Sequence, residues 1–171
     1  MDDFEIIRQL GKDGAQGVVH LVEFPNGLRC AMKQFKPKKS IVRIQMEADL
    51  QRQAAAAGIS PNVMHVDTEK RRIFMEPMQI RIVDVLEQSN RRFEQDLSDI
   101  MDKLDDLKIL HNDGNALNLM LDNNDKLCII DFGLAKKINK KLLQKWGPHP
   151  NTAVTLFMLR KQLAKYNIRI K

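Results

Sequence analysis

The chain has 171 residues, of which 43% are hydrophobic, so it is long enough to bury a core within one domain. Its 28 basic and 22 acidic residues give a net charge of +6, which is first of all typical of a solvated surface; an acidic protein partner or an anionic surface is the next interpretation. No apolar run approaches the ~18 residues of a membrane span, and the first residues lack the basic and apolar regions of a signal peptide. Zinc-finger spacing and alternating aromatic and basic residues are also absent, which argues against a nucleic-acid partner. The composition therefore predicts a cytoplasmic protein without a membrane span.

The first 78 residues show the pattern of five short strands and one helix. Asn26-Gly27 tolerates the positive φ values of a tight turn, so the strands on either side of it should pair antiparallel. Ser40 offers an N-cap oxygen for a helix, and Gly58 a residue suited to its end. The predicted strands cover residues 4–10, 18–24, 28–35, 63–66 and 72–75, and the predicted helix covers residues 41–57.

After residue 79 the apolar period changes to three and four residues. Apolar side chains from Phe93 to Leu107 form the stripe of a helix that faces a core. The turn residues 123–125 predict a second hairpin between residues 119–121 and 127–130, and a further helix is expected over residues 152–165. A boundary near residues 77–79 would divide the chain into residues 1–78 and 79–171.

Two short segments carry residues suited to phosphate chemistry. Asp113 and Asn118 lie five residues apart in one loop, and Asp131 directly follows the apolar strand-like run of residues 127–130. A carboxylate can accept a proton from a hydroxyl, and carboxylate and amide oxygens are ligands for Mg²⁺. Since Asp131 ends a buried strand, it is well placed to hold Mg²⁺ on nucleotide phosphates.

A glycine-rich turn lies between the first two predicted strands. Gly11, Gly14 and Gly17 would let backbone N–H groups approach phosphates without obstruction by side chains. Glycines also occur in ordinary hairpins, so this turn alone leaves both interpretations open. Its meaning depends on the segments that follow it in the chain.

Taken in chain order, these segments resemble the motifs of the protein-kinase-like superfamily. The segment His111-Asn112-Asp113-Gly114-Asn115-Ala116-Leu117-Asn118 resembles the H-R-D-L-x-x-x-N loop, and Asp131-Phe132-Gly133 matches D-F-G. Cys30-Ala31-Met32-Lys33 resembles V-A-I-K, and residues 14–19 match G-x-x-G-x-V, with the first glycine one residue early. The layout is similar to the small atypical kinase of the KEOPS complex and to compact kinases of bacterial effectors and large DNA viruses.

This resemblance implies an α+β fold: a five-stranded antiparallel N-lobe with one helix, and a truncated helical C-lobe, forming one minimal kinase domain over residues 1–171. It implies that the cofactors are ATP and Mg²⁺, that Asp113 is the base for the substrate hydroxyl, and that Asn118 and Asp131 hold the metal. Lys33 would bind the α- and β-phosphates, held in place by Glu47, while His111 packs and fixes the loop. The remaining residues implied to contact ATP are Gly11, Gly14, Gly17, Val19, Ala31, Met75 as gatekeeper, Glu76 and Met78.

The implied function is Mg²⁺-dependent transfer of the ATP γ-phosphate to a protein Ser/Thr hydroxyl. The alternatives are a small-molecule kinase and a pseudokinase that binds a partner. In a virus or a secreted effector the protein would act in the host cytoplasm. Only 38 residues follow Gly133, so a partner that completes the substrate site is expected.

The chain departs from the superfamily pattern in the loop that follows D-F-G. Residues 134–150 contain no Ser, Thr or Tyr, and Asn112 replaces the Arg of H-R-D. Activity is therefore expected to be independent of phosphorylation in this loop. The loop should instead be held by a bound partner or by the packing of Leu142, Leu143 and Trp146, which could equally fill the core of a shortened lobe.

Overall fold

The computed structural model describes residues 3–170, so Met1, Asp2 and Lys171 lie outside the described residues. Five strands form one antiparallel sheet in the order β1-β2-β3-β5-β4. Each strand begins and ends within one residue of its predicted bounds, and the expected antiparallel sheet is confirmed. The strands are β1 (Glu5–Leu10), β2 (Gly17–Glu23), β3 (Arg29–Phe35), β4 (Val63–Asp67) and β5 (Arg72–Met75).

The hairpin between β2 and β3 forms as predicted. Gly27 has a φ of 79°, and the Asn26 side chain accepts a hydrogen bond from the Leu28 amide at 3.0 Å. At the other end of the hairpin, a Cβ on Gly17 would lie 3.0 Å from the Cα of Phe35. The glycine-rich turn therefore ends directly against the end of β3.

Helix α1 (Ile41–Ala56) packs one face against the sheet. The Ser40 hydroxyl caps its first turn by accepting a hydrogen bond from the Arg43 amide at 3.3 Å, as predicted. Ile44 and Ala48 are fully buried in a cluster with residues of β3 and β5. Glu47 lies on this inner face and is buried, whereas Asp49, two positions on, is exposed.

The C-terminal part combines helices with two small sheets. Helix α2 (Arg91–Asp106) buries the predicted apolar stripe, and the predicted hairpin forms between β8 and β9. Three short 3-10 turns cover Ile82–Asp84, Ala116–Asn118 and Phe132–Leu134. The strands are β6 (Ile80–Arg81), β7 (Ile109–Leu110), β8 (Leu119–Leu121), β9 (Leu127–Ile129) and β10 (Lys136–Lys137); the order β6-β8-β9 forms one sheet, and β7 pairs with β10.

The predicted helix over residues 152–165 is divided into two helical forms. A π-helical turn covers Asn151–Leu156, and the regular helix α4 covers Phe157–Ala164. Apolar periodicity does not distinguish these two forms, which differ by one residue per hydrogen-bonded turn. π-Helical turns are frequent at functional sites.

Helix α3 (Lys140–Trp146) has no buried residue. Leu143 is 36% and Trp146 39% exposed, while Leu142 is half-buried, so the prediction that these three residues fill a core is wrong. The core of this part is closed instead by α2 and by α4, whose Leu159 and Leu163 are fully buried. Among residues 3–170, no helix is both long and apolar enough to cross a bilayer.

Candidate active site

Lys33 on β3 contacts two acidic residues: Glu47, which was expected to hold the lysine in place, and Asp131, which was expected to hold the metal. Its ammonium lies 2.5 Å from Glu47 Oε1 and 2.7 Å from Asp131 Oδ1. Burial acts to lower the pKa of Lys33, but the carboxylates of Glu47 and Asp131 outweigh it and raise that pKa above its ordinary value. The lysine is therefore positively charged at neutral pH and fixes helix α1 to the D-F-G segment.

Glu47 has a second lysine partner that the sequence analysis missed. Lys39 Nζ lies 3.1 Å from Glu47 Oε2, so the two oxygens of this buried carboxylate contact two different lysines. The ammonium groups of Lys33 and Lys39 lie 5.1 and 5.3 Å from the centre of the Phe35 ring. Cation–π contacts with one ring favour this shared position.

Gln16, in the glycine-rich turn, connects this cluster to the D-F-G segment. Its Oε1 accepts a hydrogen bond from Lys39, and its backbone carbonyl accepts one from the Lys36 amide at 3.0 Å. A Cβ on Gly133 would lie 2.6 Å from Gln16 Nε2, so a larger residue at position 133 would displace this side chain. The glycine-rich turn, α1 and D-F-G therefore form one connected group.

The glycines of this turn have different local roles. Gly11 has a φ of 80° and open space around its Cα, while the Gly14 amide donates to the Gly17 carbonyl at 2.9 Å. On the adjoining strands, Val19 is half-buried and contacts the cluster that contains Ala31 and Met75. Ala31 and Met75 face each other across β3 and β5. These apolar residues are thus brought together near Lys33 on β3.

The segment after β5 presents two backbone groups without protein partners. The Glu76 amide and carboxylate both bond to Asn62, at 3.0 and 3.1 Å, which turns that amide towards β4. Within residues 3–170, no hydrogen bond occupies the Glu76 carbonyl or the Met78 amide. Pro77, between them, has no N–H. This arrangement leaves one acceptor and one donor for a ligand such as adenine.

The loop from 111 to 118 holds Asp113 in a fixed orientation. Asp113 Oδ1 accepts a hydrogen bond from the Asn115 amide at 3.0 Å, and Oδ2 accepts one from Asn118 Nδ2 at 3.0 Å. The Asn118 carbonyl accepts a bond from the Ile130 amide at 2.9 Å, next to D-F-G. Asp113, Asn118 and Asp131 are therefore assembled at one place from two neighbouring strands.

Asp131 has a backbone φ of 64°, in the left-handed region. Its Oδ1 accepts bonds from Lys33 and from the Gly133 amide at 3.2 Å, and its side chain is 38% exposed. Burial acts to raise the pKa of Asp131, but the Lys33 ammonium and these hydrogen bonds outweigh it and lower that pKa. The carboxylate is therefore ionised at neutral pH.

Asn118 and Asp131 fit a magnesium site by their donor atoms. No described residue bonds Asn118 Oδ1 or Asp131 Oδ2, so both oxygens can take a cation. Among residues 3–170, no group of three or more His, Cys, Asp and Glu residues is arranged to hold a metal by itself. Mg²⁺ on a nucleotide usually takes one or two protein ligands, with phosphates and water supplying the others.

His111 is completely buried behind the loop, as its predicted packing role requires. Its ring nitrogens lie 3.2 Å from the Asp113 carbonyl and 3.1 Å from the Ile130 carbonyl, and its ring meets Phe132 edge-on at 4.9 Å. Burial lowers the pKa of His111, so the ring is neutral at pH 7 and donates to one of these carbonyls. It joins the loop to the segment between β9 and Asp131.

A buried polar pair, Asp105 and Asn151, anchors the same loop and was not predicted. Asp105 Oδ1 accepts bonds from the Asn151 amide at 3.0 Å and from its side chain at 2.6 Å. Asn151 Oδ1 in turn accepts a bond from the His111 amide at 3.0 Å. Asp105 follows Leu97 and Met101 at spacings of four, so an acidic residue within the apolar stripe of α2 was the available signal.

Gly114 allows helix α4 to lie directly against the loop. A Cβ at this position would lie 2.8 Å from the Met158 carbonyl carbon and 2.9 Å from the Leu159 amide nitrogen. One turn later, α4 carries Lys161. A cleft is therefore formed between the loop and the helix, and its lining residues are Asp113, Gly114, Asn115, Met158, Lys161 and Gln162.

The antiparallel sheet, helix α1 and the cluster around Lys33 together define a protein of the kinase class. A family model of the protein kinase domain matches residues 4–154, and the chain belongs to this family. The fold and family implied by the sequence motifs are thereby confirmed.

Two curated proteins share shorter segments with the chain. One is a probable bifunctional tRNA threonylcarbamoyladenosine biosynthesis protein of Methanococcus vannielii, 32% identical over 78 residues, or 45% of this chain. The other is the CTD kinase subunit alpha of Saccharomyces cerevisiae, 40% identical over 57 residues, or 33% of this chain. The matched segments span only 14% and 10% of those two proteins.

Proposed function

We propose that this chain transfers the γ-phosphate of ATP, with Mg²⁺, to a Ser or Thr hydroxyl of a protein substrate in the cytoplasm. The observation that carries the proposal is the position of Lys33 between Glu47 and Asp131, at 2.5 and 2.7 Å. A charged lysine held by two carboxylates is suited to bind phosphates beside a metal. Membership of the protein kinase family supports ATP and a divalent metal as cofactors.

ATP would lie between the glycine-rich turn and the loop that carries Asp113. The adenine would contact the free carbonyl of Glu76 and amide of Met78, with Val19, Ala31 and Met75 around it. The turn with Gly11, Gly14 and Gly17 would cover the phosphates, while Lys33 binds the α- and β-phosphates. Preorganised charge of this kind supplies most of the catalysis in phosphoryl transfer.

Asn118 and Asp131 would hold Mg²⁺ through their free oxygens, and the bound ion supplies charge neutralisation on the phosphates. Asp113 accepts the proton of the acceptor hydroxyl. Two N–H donors fix the orientation of the Asp113 side chain, so its carboxylate need not change rotamer to meet the hydroxyl. A partner protein that completes the substrate surface belongs to the same proposal.

The experiment is a transfer assay with γ-labelled ATP, Mg²⁺ and a generic protein substrate, followed by identification of the labelled amino acid. Wild-type protein should label Ser or Thr, and Asp131→Ala should not. Melting curves with ATP, with and without Mg²⁺, provide the matching binding measurement.

Two outcomes point to the alternatives. Binding of ATP without transfer to any substrate would contradict the proposal and favour a pseudokinase that holds a partner. Transfer to a small molecule but not to protein would favour a small-molecule kinase.

A further inference from the structure

The charges of this chain divide sharply at Asp131. Residues 132–171, here called the basic segment, contain ten Lys and Arg and no Asp or Glu. Residues 1–131 contain the other 18 basic residues and all 22 acidic ones, so the net positive charge comes entirely from the basic segment. Such a one-sided distribution favours an anionic partner at this end of the molecule.

The described lysines of the basic segment, which lie between residues 136 and 165, are not neutralised by other described residues. Among the described residues, none of these lysines has a carboxylate at ion-pair distance. Lys137 bonds to Gln53 and to the Leu107 carbonyl, which are uncharged. Their positive charges are therefore available to a partner.

Lys161 brings this charge to the proposed acceptor site. It lines a cleft of about 360 Å³ together with Asp113, the proposed base, and Asn115. The cleft exists because Gly114 has no side chain and lets α4 approach the loop. Lys161 lies in α4, beyond residues 4–154, the part of the chain that matches the family model.

We infer that the protein substrate carries acidic residues beside its acceptor hydroxyl, and that Lys161 is a specificity-determining residue that recognises them. This inference rests on the proposed function. A hydroxyl placed at Asp113 has its neighbouring residues in the cleft that Lys161 lines. An acidic side chain there meets a cation that has no carboxylate partner among the described residues, and the rest of the basic segment attracts further acidic residues.

An acidic peptide fits this surface better than a nucleic acid does. Single-stranded nucleic acids bind through aromatic rings on which bases stack. Here Lys161 covers a face of Phe157 at 4.3 Å, and Lys145 covers a face of Trp146 at 4.8 Å. Lys161 also shares the cleft with the Asp113 carboxylate, which is placed to accept a proton from a hydroxyl. This pairing suits a Ser or Thr side chain as the acceptor.

The test compares two serine peptides that differ only in charge. One has Asp and Glu on both sides of the serine, and the other has Asn and Gln at the same positions. Each is assayed with the full chain, ATP and Mg²⁺ at low ionic strength, using wild type, Lys161→Gln and Lys165→Gln. Lys165 is the matched control, because it is exposed at the end of α4 but does not line the cleft.

Wild type should prefer the acidic peptide in kcat/KM by about tenfold, the size that two or three exposed ion pairs give. Lys161→Gln should lower this ratio by about two- to fivefold, the share of one ion pair, and Lys165→Gln should keep it. Equal use of both peptides by wild type overturns the inference. An equal loss on both peptides in Lys161→Gln also overturns it, since that result indicates a general catalytic effect.

A binding measurement separates this inference from the proposed function. Fluorescence anisotropy with the two labelled peptides needs no phosphoryl transfer. If neither peptide is phosphorylated, the proposed function fails, and tighter binding of the acidic peptide by wild type than by Lys161→Gln still supports the acidic partner. Equal binding of both peptides overturns the inference of an acidic protein substrate. Tighter binding of an unstructured RNA of equal charge also overturns it.

Discussion

Replacement of Lys33 by methionine should separate the chemistry of the site from the stability of the fold. The variant loses an ammonium that contacts both Glu47 and Asp131. Breaking a buried ion pair commonly costs about 3–5 kcal/mol, because one charge is left without a partner. Glu47 keeps Lys39 at 3.1 Å, however, and the Asp131 side chain is 38% exposed and can be hydrated. The free energy of unfolding should therefore fall by only about 1–2 kcal/mol.

The effect of Lys33→Met on transfer should be much larger. Removal of a preorganised charge at the reacting phosphate typically lowers kcat by about 10²–10³-fold. The loss should appear in steady-state transfer of labelled phosphate, while the melting temperature falls by a few degrees, about 2–8 °C. Methionine has a similar length, so the change removes the charge without opening a large cavity.

Lys39→Met is the matched control for this prediction. It also removes a lysine from Glu47, but it leaves the contact between Lys33 and Asp131 intact. Its transfer rate should stay within about tenfold of wild type, with a loss of stability similar to that of Lys33→Met. Equal loss of transfer in the two variants would refute the assignment of the phosphate contact to Lys33 alone.

Three further predictions concern the loop and its supports. Burial raises the pKa of Asp105, so this carboxyl binds a proton more readily in the folded protein than in the unfolded chain. The protonated carboxyl therefore favours folding at low pH. This contribution to stability is lost as the pH rises from ~4, the unfolded pKa, through the raised pKa of the folded state. Asp105→Asn should therefore be at least as stable as wild type at pH 7, and its advantage should shrink in melts at lower pH. Gly114→Ala should lower stability by about 1–3 kcal/mol and lower kcat, because its Cβ would overlap Met158. Asn115→Ala loses only the side-chain bond to the Leu117 amide and should lower stability by about 0.5–1 kcal/mol. Phosphatase treatment, like Thr152→Ala, should leave transfer unchanged, and a large loss after either would show that phosphorylation is required.

The sheet could be predicted because its signals are local, and the main site residues because their motifs resemble those of a known family. Asn26-Gly27 specifies a turn by its own backbone preferences, and Ser40 caps a helix within its first turn. The pair of Lys33 and Glu47 was instead implied by the resemblance of the motifs, and the structure brings the two within 2.5 Å. The turn and the cap are thus encoded in short stretches of sequence, whereas the site was recognised from the order of its motifs.

The supports of the site could not be predicted because they join distant segments. Asn151 meets Asp105 across 46 positions of sequence, and Lys39 reaches Gln16 across 23. No periodicity encodes such pairs, since each depends on how whole elements pack. Helix α3 was interpreted wrongly for a different reason. Its leucines suggested that the helix fills the core of the C-terminal part, but α2 and α4 already fill that core.

The most direct test of the account is the transfer rate of Asp113→Asn, measured beside its ATP binding. Asparagine keeps the size of the side chain, and its carbonyl oxygen can still accept the hydrogen bond from the Asn115 amide, but its NH2 group cannot accept the bond from Asn118 Nδ2, and the side chain cannot take the proton of the acceptor hydroxyl. The account predicts that melting curves with ATP and Mg²⁺ show the wild-type shift, while transfer falls by about 10²–10⁴-fold. Transfer at the wild-type rate by Asp113→Asn would contradict the account, because the phosphoryl acceptor would then be activated elsewhere.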